Sequence, residues 1–189
     1  MTRWLAVLIL WCAVAAGALA GPIYRVSVDT TALAGQAGYL DFLFLGLQDA
    51  APASATLSNF TGDLDGSGLL TGDAAGSSAD RVVLGNGNGW NEFAQHVNFG
   101  GRFGFDVSFA VGGAPGDSGT NLALALLDDA SQYVGAAGDI VTFALLPGQA
   151  DAVATDARFA SVQAVPEPGS VALLAVGLLG MAFAARRRN

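Results

Sequence analysis

Cysteine is almost missing from this sequence, lysine is wholly missing, and histidine occurs once. The one cysteine, Cys12, lies in a leader that export would remove. The mature chain would then have no thiol nucleophile, no disulfide and no thiolate-held metal, and packing alone must hold it together. A single histidine, His96, leaves little for imidazole-based catalysis or for a zinc site, which needs three or four ligands. All eight basic residues are arginine, and between Gly21 and Val165 only four of them stand against fifteen acidic residues, a net charge of −11. Such a surface repels phosphate backbones, which excludes nucleic-acid binding and makes an anionic membrane surface an unfavourable partner. Between the two ends there is also no convincing helical periodicity.

Each end carries a hydrophobic stretch. Residues 1–20 read as a secretory signal peptide: Arg3 is the positive start, Trp4 to Val14 the apolar core, and Ala18-Leu19-Ala20 the small-residue site for signal peptidase. Bulky Trp11, just before Cys12, argues against a lipoprotein cleavage. At the other end Val171 to Ala185 is an uncharged run of 15 residues. As a helix it would span about 22 Å, short of a hydrocarbon core of about 30 Å. A short transmembrane helix over 169–185 is expected, with Arg186, Arg187 and Arg188 held in the cytoplasm and the N-terminus out. Before it stands Val165-Pro166-Glu167-Pro168. The prolines impose an extended stretch that a protease can grip, and Glu167 keeps it at the water interface.

These three parts, in this order over residues 165–189, resemble the PEP-CTERM sorting signal of Gram-negative bacteria. The resemblance implies that an exosortase, a membrane-embedded cysteine protease, recognises the Pro-Glu-Pro element, cuts there and passes the protein on to the cell surface or to an exopolysaccharide matrix. The inner membrane is then a transient partner.

The intervening domain, 21–164, reads as strands. In "RFGFDVSFAV" Phe103, Phe105, Val107, Phe109 and Val111 alternate with Arg102, Gly104, Asp106, Ser108 and Ala110, a strand with one buried face. "YLDFLFLGL", Tyr39 to Leu47, is apolar on both faces except for Asp41 and fits a central strand. "TNLALALLDD" buries Leu122, Leu124 and Leu126. Shorter strands are expected at Ile23–Asp29, Ala55–Thr61, Arg81–Leu84, Glu92–Phe99, Ile140–Leu145 and Arg158–Gln163. The turn clusters "GDLDGSG", "GNGNG", "GGAPGDSG" and "LPGQAD" separate them. About nine short strands suggest an all-β, antiparallel β-sandwich of jelly-roll type. The body also resembles a small PEP-CTERM family of unknown role, through Tyr24 to Thr30, Asn59-Phe60, Asn91-Glu92-Phe93 and Leu124 to Asp128; that likeness carries no activity with it.

Four constellations have chemical potential. "GDSG" around Ser118 resembles a serine-protease nucleophile loop, for which His96 and Asp106 would have to complete a triad. Thr120 stands where a second glycine is expected, and the loop reads as hairpin material. "DLDGSGLLTGD" places Asp63, Asp65 and Ser67 at calcium-loop spacing, with Asp73 one place early for the final ligand and Ala74 in its position. The plainer reading is a glycine-rich hairpin with Asx-turns. His96 and Glu92 share one strand face without a third metal ligand. Trp90, with Asn86, Asn88, Asn91 and Gln95 nearby, could be a sugar-stacking platform or an aromatic that anchors its loop. The expectation is an exported, non-enzymatic surface or matrix protein without a cofactor, structural or adhesive in the exopolysaccharide layer. A glycan- or calcium-binding module is the alternative, and a secreted hydrolase a distant third.

Overall fold

The computed structural model describes residues 21–114, 117–165 and Gly177. Ala18 and Ala20 of the expected signal peptide, the Pro166-Glu167-Pro168 element, the expected helix over 169–185 and Arg186 to Arg188 lie outside the described residues. Among the described residues no helix is long and apolar enough to cross a membrane.

Among the described residues twelve strands form two six-stranded antiparallel sheets. They are β1 (Ile23–Asp29), β2 (Ala37–Gly46), β3 (Ala53–Thr61), β4 (Leu69–Thr71), β5 (Ala74–Gly76), β6 (Arg81–Gly85), β7 (Glu92–Asn98), β8 (Arg102–Val111), β9 (Thr120–Leu127), β10 (Val141–Leu145), β11 (Ala152–Thr155) and β12 (Ala160–Val165). The first sheet runs β12-β1-β8-β3-β6-β5 and the second β11-β10-β9-β2-β7-β4. Within them the order 1-8-3-6 faces 2-7-4, the crossing pattern of a jelly roll, which two Greek keys generate. Strands β9 to β12 widen both sheets on one flank, and β5 joins the first sheet beside β6.

The alternation of side chains decides what lies between the sheets. Strand β8 sends Phe103, Phe105 and Val107 inward, all nearly inaccessible, and β2 sends Leu40, Phe42 and Phe44. Four phenylalanine rings, Phe42, Phe60, Phe93 and Phe105, meet with centroids 5.0–6.0 Å apart. Burying each such ring contributes about 1.5–3 kcal/mol. With no disulfide available, this aromatic layer is the centre of the fold's stability.

The sequence signals are strongest where strands are long. Strand β1 has the bounds that its alternation predicts, and β3, β6, β7, β10 and β12 begin or end one or two residues away. Strands β4, β5 and β11 carry no such signal. They are three or four residues long, too short to show a period, and each sits at a sheet edge. One 3-10 turn, Thr31–Leu33, joins β1 to β2.

Candidate functional site

The outer face of the second sheet gathers the most unusual group of side chains. Asp41 lies mid-strand in β2, which β7 and β9 flank on either side. Its ladder partners are Ala94 and Ala125, small residues that leave room for a carboxyl group but offer it no donor. As a carboxylate, Asp41 leaves its buried Oδ1 without a hydrogen-bond partner. As a neutral acid it can donate to Glu92, at the start of β7. Burial first, then the hydrogen bond and negative charge of Glu92, and last the charge of Asp139, push the Asp41 carboxyl up to about 7. Asp139, just before β10, is itself raised by burial.

Trp90 extends this line to the surface. Its indole Nε1 donates to Glu92 Oε2 at 2.7 Å, and the residue is 53% exposed. The loop beneath it is fixed by Asn91, which is wholly buried. Asn91 Nδ2 donates to the carbonyls of Phe44 and Asn88, and its Oδ1 accepts from the Asp73 amide. Gly72, at φ +73°, lies so close to the Trp90 carbonyl that a Cβ there would sit 1.9 Å from it. The loop anchors itself, and Trp90 is left free to offer its ring.

The amides expected beside Trp90 have other duties. Asn86 bonds the Ala53 amide, the Ala51 carbonyl and the Thr120 hydroxyl. Gln95 is fully buried and bonds Ser78 Oγ and the carbonyls of Asp65, Gly66 and His96. Both hold loops onto the sandwich and neither faces a ligand. What adjoins the tryptophan is acid, the Glu92–Asp41 pair.

The remaining sequence candidates are dispersed. His96 lies on the outer face of the second sheet between Asp65, 3.3 Å from Nδ1, and Asp129, 3.2 Å from Nε2. Asp106 lies on the outer face of the first sheet, where it accepts a forked pair of bonds from Arg25 and a third from Asn59. Ser118 sits in the loop between β8 and β9. The three members of a triad are therefore on different surfaces. His96 and Glu92, four residues apart along β7, are separated by about 13 Å of strand.

Strand β4 occupies the middle of the calcium-like loop. It pairs Leu69 to Thr71 with β7 and so parts Asp63, Asp65 and Ser67 from Asp73. Asp65 turns to His96, while Asp73 Oδ2 accepts from the Gly87 amide. Among the described residues no three acidic or histidine side chains gather to hold a metal. Two surface hollows of about 520 and 620 Å³ lie elsewhere, at the Arg102–Arg158 end and beside Gly21 and Asp151.

The last strand leads out of the domain. Strand β12 pairs with β1 without a break, and Val165, its final residue, lies opposite Ile23. The two chain ends of the domain are therefore neighbours. A model of the PEP-CTERM protein-sorting motif matches residues 164–188. The match begins inside β12, so no linker separates sandwich from tag. No curated protein and no solved structure matches the chain significantly.

Proposed function

We propose that this chain, which carries a PEP-CTERM motif and is thereby marked for export and exosortase processing, serves as a non-enzymatic structural or adhesive component of the extracellular polysaccharide layer. Signal peptidase would free Gly21. The tail would hold the domain at the inner membrane, N-terminus out, until the exosortase cuts near Pro166-Glu167-Pro168. The observation that carries this reading is the position of the tag, which begins within the last strand of a folded sandwich. Cleavage there would release a complete domain.

Adhesion to sugar is supported by Trp90. An exposed indole stacks on the C–H face of a pyranose ring, and adjacent carboxyl oxygens accept from its hydroxyls. Trp90 and Glu92 supply both at the start of β7. No comparable observation favours calcium.

Two measurements test the proposal. Fractionating producer cells with and without the sorting protease should find the domain with the matrix in the first case and at the inner membrane in the second. Recovery from the cytosol with Arg186 to Arg188 intact would overturn it. Separately, Trp90→Ala should lose retention on the producer's own polysaccharide while its Tm stays within about 2 °C, since an exposed side chain adds little to stability. Undiminished retention would remove the adhesive role.

A further inference from the structure

Strand β12 is an unprotected edge. Among the described residues it closes one side of the first sheet and pairs only with β1, so alternate residues of its outer side present N–H and C=O groups that no described strand takes up. Natural sheets blunt such an edge with charge, proline, a bulge or brevity. Here the six residues Ala-Ser-Val-Gln-Ala-Val hold no charge, no proline and no glycine, and their register with β1 is unbroken. Two arginines lie near it: Arg25, opposite Gln163, is turned away to Asp106 on β8, and Arg158, two residues before the strand, is paired with Asp156. Strand β11, the neighbouring edge of the second sheet, is likewise uncharged and exposed along its length. On a domain with a net charge of −11, this flank is where a second copy meets little repulsion. The opposite edge of the same sheet is only three residues long and ends on Gly76 at φ +105°.

The geometry points to β12 as the interface of a two-fold dimer of this chain, formed by antiparallel β12–β12 pairing, the direction that a two-fold axis imposes on identical strands.

A single cysteine tests this cleanly, because the mature chain contains no other. Residues 21–165 hold both complete sheets, so this domain can be studied by itself. Carrying Gln163→Cys, it should cross-link to a dimer with a short bismaleimide and sediment as a dimer in the absence of the reagent. Hydrogen exchange should show concentration-dependent protection confined to β12. Gln163→Lys should raise the dimer dissociation constant about tenfold by setting like charges across the two-fold axis, with Tm in the dilute monomer unchanged. A monomer at hundreds of micromolar, protection elsewhere, or cross-linking from Ala75→Cys on the opposite edge would each overturn the interface.

Discussion

Asp41 illustrates how one side chain sets a pH response. An unfolded aspartate titrates near 3.9, whereas the folded carboxyl is held at about 7. Between these values the folded chain binds more protons than the unfolded one, so stability falls as pH rises from about 4 to about 7 and stays lower above that. Asp41→Asn keeps the shape and supplies a permanent donor to Glu92. It should flatten the Tm profile across that window and stabilise the protein at pH 8 by on the order of 1–2 kcal/mol, after allowance for solvent screening. Asp139, raised by its own burial, leaves a residual slope of the same sign. Parallel profiles for the two proteins would refute this account. Asp106 behaves in the opposite sense. The Arg25 hydrogen bonds hold its carboxyl below the usual range, with Asn59 adding to the effect. Its contribution is complete above about 4, the unfolded value, and is lost as pH falls through the lower folded one. Asp106→Ala should cost about 0.5–1.5 kcal/mol at neutral pH, measurable by urea unfolding, because it removes the bonds from Arg25 and Asn59, both of which can turn to water instead. Asn59 reaches Asp106 from a left-handed backbone, φ 55°, beside an irregularity in β3.

At the scale of elements, the long strands were legible and the short edges were not. The alternation in Arg102 to Val111 forecasts the bounds of β8 and the burial of Phe103, Phe105 and Val107, whereas Val111 ends exposed and Asp106, on the polar face, is buried. In Tyr39 to Leu47, Asp41 is the one polar residue, and that oddity is the sequence's only mark of the acid pair. The sequence gives no sign that Glu92 would be its partner, since contact between β2 and β7 depends on a pairing made across about fifty intervening residues. The β4–β5 turn is set by packing of the same long-range kind. Gly72 lies in the left-handed region, and any side chain there would meet the Trp90 carbonyl. Gly72→Ala should therefore shift the Trp90 loop and cost at least about 1–2 kcal/mol. Indole fluorescence of residues 21–165 reads the effect directly, since Trp90 is the single tryptophan of that segment. An unchanged emission maximum and unchanged stability would show that the turn is less constrained.

Across the whole molecule, fifteen acidic residues against four arginines make the folded domain repel itself. Salt screens that repulsion over a Debye length of about 10 Å at 0.1 M, so Tm should rise between low salt and about 0.5 M sodium chloride. The few surface ion pairs, such as Arg102–Asp29 and Arg158–Asp156, oppose this trend weakly. A Tm that falls with salt would mean that local pairs outweigh the net charge. By itself the sequence determined the sorting tag, the charge, the lack of any disulfide within the chain and the β class, because each depends on local composition or on a period of two. Only the tertiary structure decided that Asp41 meets Glu92, that His96, Ser118 and Asp106 lie apart, and that β12 is an edge rather than an interior strand. Those outcomes depend on which strands become neighbours, and strand pairing is fixed by the joint burial of distant apolar faces, which a linear reading does not contain.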